Sequence, residues 1–326
     1  MNNYKTVRTA VIGVGSMGRN HARIYKEISN LIAVVDPNEK IGREIAHEYG
    51  VTWFSNYKEL KGKVDAVSIA VPTSYHELVS TDIANLGIHI LVEKPLSINV
   101  ASSKKIIDAC NNSNVVLSVG HVERYNPVIS VVKDVLSQNN YDNLHTISCR
   151  RFSPYPGRIS DVGVLFDLTI HDVDIISSLF DDNIASIFAS GGSIPGSEHE
   201  DYITLVMNFE NGAIGICQTN WVTPIKIRDI SITTSDFFLK GDLLNKEIQY
   251  YNNKDVLVKD SDIILDPKEL LDRVKDNEPL KSELLNFLDS IISRNSPKIP
   301  GKDGLRAVSI VEAALKSLNT GKIVKL

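Results

Sequence analysis

The chain has 326 residues, a length that favours two domains, and its 35 basic and 40 acidic residues give a net charge of -5 at pH 7. This mildly acidic balance argues against general binding of nucleic acids or anionic membrane surfaces, and no apolar run approaches the ~20 residues that span a bilayer. The first predicted strand leaves no room for a signal peptide and the three cysteines lack metal-ligand spacing, so we expect a cytoplasmic protein with free thiols and no bound metal.

A glycine pattern joins the first predicted strand to the first predicted helix. In the run VRTAVIGVGSMG, three glycines follow the apolar strand: Gly13, Gly15 and Gly18. The first glycine allows a tight turn, the second lets the backbone approach a pyrophosphate, and the third lets the helix pack closely. The strand Leu31–Val35 leads into Asp36, a carboxylate suited to an adenosine ribose and unfavourable for the 2′-phosphate of NADP. The predicted contacts of an NAD cofactor here are Gly13, Gly15, Ser16, Met17, Gly18, Asp36 and Pro37.

Strands and helices alternate over residues 1–122. Apolar runs typical of buried parallel strands occur at Ala10–Gly13, Leu31–Val35, Ala66–Val71, Ile88–Val92 and Val115–Val119. Amphipathic segments typical of helices occur at Met17–Ser29, Glu39–Glu48, Tyr75–Leu86 and Val100–Cys110. The alternation predicts an α/β domain with a doubly wound parallel sheet, the Rossmann arrangement.

Residues 123–326 have a different pattern. Strand-like segments follow one another at Leu144–Arg150, Ala185–Ser190, Tyr202–Phe209, Ala213–Asn220 and Ile227–Thr234. Helices are predicted at Asp167–Leu179, Leu280–Ile292 and Lys302–Leu318. We therefore predict a second, α+β domain with a mostly antiparallel, open-faced sheet. We expect this domain to bind the substrate and to close the crevice beyond the strand ends of the first domain.

Two loops with chemically useful residues follow predicted parallel strands. The run EKP at 93–95 follows one strand, and the run VPT at 71–73, with His76 close behind, follows another. A lysine in this position can hydrogen-bond a reacting oxygen and stabilise developing alkoxide charge, although most loop lysines are simply solvated. His76 could approach the cofactor or lie on a helix surface. The predicted cofactor contacts in these loops are Val71, Pro72, His76, Glu93 and Lys94.

A third set of residues lies on the helix predicted at Asp167–Leu179. Asp167, His171 and Asp174 have i, i+4, i+7 spacing and would share one face. His171 is a natural general base, because a neutral imidazole is available near pH 7. On the residues alone, a capping role for Asp167 and a structural role for His171 are equally open. Asp172 falls among the apolar positions and has no evident partner.

Arginines are concentrated just before this helix, in the run RRFSPYPGR at 150–158. Arginines in a rigid Pro/Gly context suit bidentate binding of a diphosphate, and a solvated loop or a subunit contact is an equal alternative. Nearer the domain boundary, a helix is expected to start at Asn126-Pro127, and the two residues before it could reach nicotinamide or substrate. The predicted substrate contacts are Arg124, Tyr125, Arg151 and Arg158.

The glycine fingerprint, the EKP run and the Asp…His spacing occur in the order typical of the Gfo/Idh/MocA oxidoreductases, a family that the chain resembles over essentially its whole length. The segments VGHVERYNP at 119–127 and DVGVLFDLTIH at 161–171 are most similar to its UDP-N-acetylglucosamine 3-dehydrogenase branch. The resemblance implies catalytic roles for Lys94, Asp167 and His171, and a homodimer or homotetramer. Many relatives have a glycine-rich run before the Asp…His pair, whereas this chain keeps only Gly163, which predicts a different pocket floor.

These observations together predict an NAD-dependent oxidoreductase that transfers a hydride between a sugar secondary alcohol and nicotinamide. The favoured substrate is a nucleotide-linked amino sugar. A free polyol, inositol or monosaccharide is the alternative within the enzyme class. A non-catalytic regulator that senses the dinucleotide is the alternative outside it, and the complete Lys94, Asp167 and His171 set argues against that role.

Overall fold

The computed structural model describes residues 3–138, 143–155, 157, 162–180, 182–252 and 278–326. These residues divide into two compact units. The first unit contains the chain up to Val122 together with Glu278–Val308. The second contains the described residues from Glu123 to Asn252 together with Ser309–Leu326. Each unit is built on its own β-sheet.

The first unit has a six-stranded parallel sheet with helices between the strands. Its strands are β1 Arg8–Ile12, β2 Asn30–Val35, β3 Thr52–Phe54, β4 Ala66–Ile69, β5 His89–Glu93 and β6 Leu117–Gly120. The connecting helices are α1 Ser16–Ile28, α2 Glu39–Tyr49, α3 His76–Asn85 and α4 Val100–Asn112. The strand order β3-β2-β1-β4-β5-β6 reverses between β1 and β4, which is where open α/β sheets bind ligands beyond their carboxyl ends. The predicted doubly wound sheet is confirmed, with the short edge strand β3 in addition.

The C-terminal segment contributes to the first unit. Helix α7, Pro279–Ser293, buries Leu284, Phe287 and Leu288 in the same apolar cluster as Tyr25 of α1. The first turns of α8, Gly301–Thr320, belong to this unit as well. The sequence boundary placed all residues after 122 in the second domain. Hydrophobic periodicity predicts such a helix but does not say which sheet its apolar face covers.

The second unit has an eight-stranded sheet. Its strands are β7 Leu144–Pro154, β8 Ile184–Gly192, β9 Tyr202–Phe209, β10 Ile214–Asn220, β11 Val222–Thr234, β12 Phe237–Asp242, β13 Glu247–Asn252 and β14 Val324–Lys325, in the order β13-β12-β11-β7-β10-β9-β8-β14. Neighbouring strands are antiparallel except for the pair β7 and β10. This confirms the mostly antiparallel prediction. Strands β12 to β14 were not predicted.

Two helices of the second unit precede and follow β7. They are α5 Pro127–Gln138 and α6 Ile170–Leu179. Buried and more exposed residues alternate along β9, so one face of the sheet is covered and the other is more open within the chain. Helix α6 contains His171, together with Asp172 and Asp174.

The described residues contain no disulfide, no cluster of metal ligands and no helix able to cross a membrane. Cys110, Cys149 and Cys217 are buried free thiols, and burial raises the pKa of Cys110 to about 12. No group of three or more His, Cys, Asp and Glu side chains in the described ranges could hold a metal ion. In the same part of the chain, no helix combines the length and apolar character needed to cross a membrane.

Candidate active site

The glycine turn after β1 is tightly built and leaves space at the start of α1. Gly13 has a φ of +83°, and a Cβ there would lie 2.8 Å from the carbonyl oxygen of Ala70. A Cβ at Gly18 would lie 1.8 Å from the oxygen of Gly13. Among the described residues, a Cβ at Gly15 would meet nothing within 4 Å, and no side chain caps α1 there. Space and backbone N–H donors therefore coincide at a helix N-terminus, which fits the pyrophosphate of a dinucleotide.

Asp36 is held beside this turn by the backbone. Its Oδ2 accepts a hydrogen bond from the N–H of Val14 at 3.0 Å, and its Oδ1 accepts one from Asn38 at 2.8 Å. The indole of Trp53 donates to the carbonyl of Asp36 at 3.0 Å. An ionised carboxylate has about four acceptor positions, so lone pairs remain for a ribose diol. The position fits the adenosine half of the cofactor, with Pro37 next in the chain.

We expect this carboxylate to select NAD over NADP. A 2′-phosphate beside Asp36 would meet a like charge at a cost of about 1–4 kcal/mol, which is roughly a tenfold or larger preference. Calorimetric titration with both dinucleotides measures it. Asp36→Asn should reduce the difference in affinity between NAD and NADP. The control Asp65→Asn, which removes a partner of Arg8 just before β4, should leave this difference unchanged. Equal or tighter binding of NADP by the unmodified protein would overturn the assignment.

Glu93 and Lys94 lie at the carboxyl end of β5, and the two side chains have different surroundings. Glu93 is buried and accepts from the Lys94 backbone N–H at 3.2 Å, while the Lys94 side chain is half-buried. On α1, His21 Nε2 lies 2.8 Å from Glu93 Oε1 and His21 Nδ1 lies 2.9 Å from Ser68 Oγ of β4. Burial opposes ionisation, but His21 and Lys94 hold the pKa of Glu93 below its usual value. The buried carboxylate of Glu93 therefore supports the loop that contains Lys94.

The loop after β4 is more open. Val71 is half-buried and Pro72 is exposed, so both can meet a ligand beyond the sheet. His76 begins α3 and is only 1% exposed. The alternative that it lies on a helix surface is therefore wrong. The Lys94–Pro95 peptide of the neighbouring loop is cis.

The helix with Asp167 and His171 has a widened first turn. Residues Leu165–Thr169 form a π-helical turn that continues into α6. The N–H of Asp167 donates to the carbonyl of Gly163 at 3.1 Å, so Asp167 lies within the first turn and is not its cap. Because a π turn closes i→i+5 bonds, Asp167 and His171 lack the strict α-helical alignment that the spacing predicted. Both side chains are half-buried.

Glu200 caps this helix from a distant position in the chain. Its backbone carbonyl accepts from the N–H of Val164 at 2.9 Å, and its Oε1 accepts from the N–H of Leu165 at 3.0 Å. A Cβ on Gly163 would lie 2.2 Å from the Glu200 carboxylate carbon, so glycine is required for this approach. Glu200 was not predicted, since no local sequence signal connects it to the helix.

The position of Arg151 contradicts the prediction that this residue binds a substrate diphosphate. It is 1% exposed on β7, and its Nη1 donates to Glu123 Oε1 at 2.8 Å. Its Nε and Nη2 both donate to Asp172 Oδ1, at 3.0 and 2.8 Å. Arg228 also donates to Glu123 Oε1, at 3.2 Å. The guanidinium of Arg151 is therefore occupied inside the protein and is not available to a diphosphate, and Asp172 has its partner.

Ionisation in this cluster follows from burial and mutual attraction. Burial opposes the charge of Glu123, but Arg151 and Arg228 hold its pKa below the usual value. Burial raises the pKa of Asp172 above its usual value, even though Arg151 opposes the shift. Asp172 Oδ2 is buried and makes no hydrogen bond within the described residues. Asp172 therefore depends on Arg151 more heavily than Glu123 does.

A second ion pair holds the next turn of α6. Arg124 donates to both oxygens of Asp174, from Nε at 2.7 Å and from Nη2 at 2.5 Å. Asp174 is buried, so the third member of the predicted polar face lies in the interior. Arg124 is correspondingly directed to Asp174 instead of to a ligand, which corrects the prediction for it. Tyr125 is half-buried beside it, and Arg158 lies outside the described residues.

Family models match both halves of the chain. Residues 7–121 match the oxidoreductase family with the NAD-binding Rossmann fold, and residues 130–236 match the GFO/IDH/MocA C-terminal domain. The two matches cover more than half of the chain. They follow the same order as the two sheets described above.

Similar proteins cover nearly the full length. UDP-N-acetylglucosamine 3-dehydrogenase from Acidithiobacillus ferrooxidans is 29% identical over 93% of this chain and 94% of its own. Its solved structure superposes with a TM-score of 0.85, covering 96% of this chain and 98% of that one, at 28% identity. Myo-inositol 2-dehydrogenase from Thermotoga maritima is 25% identical over 98% of both chains.

A third relative shares the fold at lower identity. The WlbA dehydrogenase from Bordetella pertussis, solved in complex with NADH and UDP-GlcNAcA, has a TM-score of 0.87 over 98% of this chain and 97% of its own, at 19% identity. The glycine turn, the Asp36 carboxylate beside it and the matched family models point the same way. The chain is an NAD-dependent dehydrogenase that belongs to the Gfo/Idh/MocA oxidoreductase family.

Proposed function

We propose that the protein oxidises a secondary hydroxyl of a nucleotide-linked amino sugar, of the UDP-N-acetylglucosamine type, at carbon 3. The observation that carries the substrate class is the likeness to the Acidithiobacillus ferrooxidans UDP-N-acetylglucosamine 3-dehydrogenase in sequence and in fold over nearly the whole chain. The presence of Lys94, Asp167 and His171 supports turnover and argues against a purely regulatory role.

Oxidation of the alcohol removes one proton from the hydroxyl oxygen and one hydride from the carbon that carries it. Lys94 hydrogen-bonds the hydroxyl oxygen and stabilises the negative charge that develops there. His171 accepts the hydroxyl proton as general base, and Asp167 tunes the histidine. When held at the glycine turn and beside Asp36, NAD would supply the hydride acceptor for the alcohol carbon, so that the products would be a ketone and NADH. The remaining predicted cofactor contacts, including Ser16 and Met17, belong to the same proposal.

A free polyol or inositol is the second candidate substrate. It is favoured by the Thermotoga maritima myo-inositol 2-dehydrogenase, which matches 98% of this chain. The two candidates differ chemically in the nucleoside diphosphate, which only the sugar nucleotide presents to charged side chains.

We expect UDP-sugars to be used far better than the matching free sugars. Charge-assisted hydrogen bonds to a diphosphate are each worth about 1.5–3 kcal/mol, so kcat/KM should differ by roughly tenfold or more. NADH formation is measured with UDP-N-acetylglucosamine, free N-acetylglucosamine and myo-inositol. Arg158→Gln should raise KM for the UDP-sugar more than it lowers kcat.

The same panel separates the alternatives. Comparable kcat/KM on myo-inositol would favour the polyol dehydrogenase. NAD binding without turnover of any sugar or nucleotide sugar would favour the regulator.

The proposal also includes a cytoplasmic homodimer or homotetramer. Alternate residues of β9 are buried, and Tyr202 at its start is exposed on the other face. A second copy of the chain could cover that more open face of the sheet.

A further inference from the structure

The ring of His76 lies between two backbone carbonyls from two different loops. Its Nδ1 is 2.8 Å from the oxygen of Pro95, and its Nε2 is 3.0 Å from the oxygen of Val71. Val71 lies in the loop after β4, and Pro95 lies directly after Lys94 in the loop after β5. A single buried side chain therefore bridges the loops that follow two neighbouring parallel strands.

Each contact is a hydrogen bond only where the ring nitrogen carries a hydrogen, because a carbonyl oxygen can only accept. A neutral imidazole has one N–H and an imidazolium has two. Burial lowers the pKa of His76, while the carbonyls of Pro95 and Val71 and the charge of Glu93 oppose this shift. At least one of the two carbonyls is therefore held by an N–H of the ring, and the ring has no nitrogen left for a ligand.

The two bridged loops lie at the carboxyl edge of the sheet, where ligands of open α/β sheets bind. We propose that His76 is a positioning residue that fixes the Lys94–Pro95 segment relative to the Val71-Pro72 loop, and that it does not contact the cofactor. The proposal rests on the proposed role of Lys94. It replaces the sequence expectation that His76 itself approaches NAD.

Two variants separate the two contacts. In His76→Asn, the amide nitrogen replaces Nδ1 and keeps the donor to Pro95. In His76→Gln, the amide nitrogen replaces Nε2 and keeps the donor to Val71. Asn should retain near-normal kcat and weaken NAD binding by at most about tenfold, the usual upper effect of one lost hydrogen bond, because it gives up the contact with Val71. Gln should retain NAD binding and lower kcat about tenfold to a hundredfold. The reason is that a small displacement of a reacting group such as Lys94 can lower the rate by up to about a hundredfold.

The measurements are NAD affinity by calorimetry, kcat with whichever substrate is turned over, and the thermal midpoint of each variant. His47→Gln, an exposed histidine substitution on α2, is the matched control and should change none of them. A histidine that merely stabilises the fold would lower kcat, NAD affinity and the thermal midpoint in parallel in both variants. That pattern, or wild-type behaviour of both variants, would overturn the proposal.

A second background tests whether His76 acts through Lys94. In Lys94→Ala, adding His76→Gln should lower kcat by less than about twofold, since the group that it positions is gone. An undiminished effect of His76→Gln in that background would overturn this inference alone. Normal turnover by Lys94→Ala itself would instead overturn the proposed function.

Discussion

Lys94→Ala and His171→Ala should each lower turnover by about 10²–10⁴-fold, the usual contribution of a positioned charge-stabilising or proton-transfer group. Lys94 follows the buried and braced Glu93 at the end of β5. His171 lies on α6, directly before a turn with two aspartates, Asp172 and Asp174, that are each held by an arginine. Steady-state kinetics with saturating NAD and the best substrate of the panel measures the loss.

Several accompanying results separate catalysis from structure in this pair of variants. NAD affinity should fall much less in His171→Ala than turnover does, because the glycine turn proposed to hold the cofactor belongs to the first unit and His171 to the second. Asp167→Asn should be milder than either alanine variant. The pH profile of kcat/KM should show an ionisation near neutral that is absent in His171→Ala, since free histidine titrates near pH ~6.5. Near-normal turnover by His171→Ala would make His171 structural.

Arg151→Met should be the most destabilising of the variants considered. It leaves the buried Asp172 without its cation, while Glu123 retains Arg228. Breaking a buried ion pair from one side costs about 3–5 kcal/mol, a large share of a typical 5–15 kcal/mol unfolding free energy. Urea unfolding at pH 7 measures the loss.

The neighbouring residue offers a matched control for this variant. Arg150→Met removes the ion pair with Asp229, in which the arginine side chain is 43% exposed, and should cost about 1 kcal/mol or less. The double variant Arg151→Met/Asp172→Asn should recover part of the loss, because no uncompensated charge remains. Equal losses in Arg150→Met and Arg151→Met would contradict the account of the buried cluster.

The loss in Arg151→Met should also depend on pH. Burial already raises the pKa of Asp172, and removal of the guanidinium raises it further. A carboxyl whose pKa is higher in the folded than in the unfolded state binds a proton on folding, so it destabilises the fold as pH rises above the unfolded value. The difference from wild type should therefore shrink as the pH is lowered from 7 to 5.

Local patterns predicted the first unit well. The glycine turn, Asp36 and the loop with Lys94 are each encoded within a few residues, and parallel strands bring their carboxyl ends to one edge. Strand β3 was missed because three residues are too short for a periodic signal. The residues of α7 were recognised as a helix, but their burial against α1 depends on a contact across more than 250 residues of chain, as in the Lys281–Glu27 pair.

The second unit was harder because its polar contacts are long-range. Arg151 and Asp172 are 21 residues apart on different elements, and the arginine-rich run suggested an exposed loop where the chain forms β7. Glu200, in the segment before β9, contacts the start of the helix next to Gly163, and no local motif links these two positions. Residue type identifies which side chains can ionise, whereas their burial and their partners in the fold decide which of them can meet a ligand.

The fate of the hydrogen on carbon 3 of the sugar tests the proposed hydride transfer directly. UDP-N-acetylglucosamine carrying deuterium at that carbon is incubated with the protein and NAD, and the reduced nicotinamide is analysed by mass spectrometry. We expect deuterium to move to the nicotinamide and the labelled substrate to react more slowly. Formation of NADH without deuterium, or no NADH at all from this substrate, would contradict this expectation.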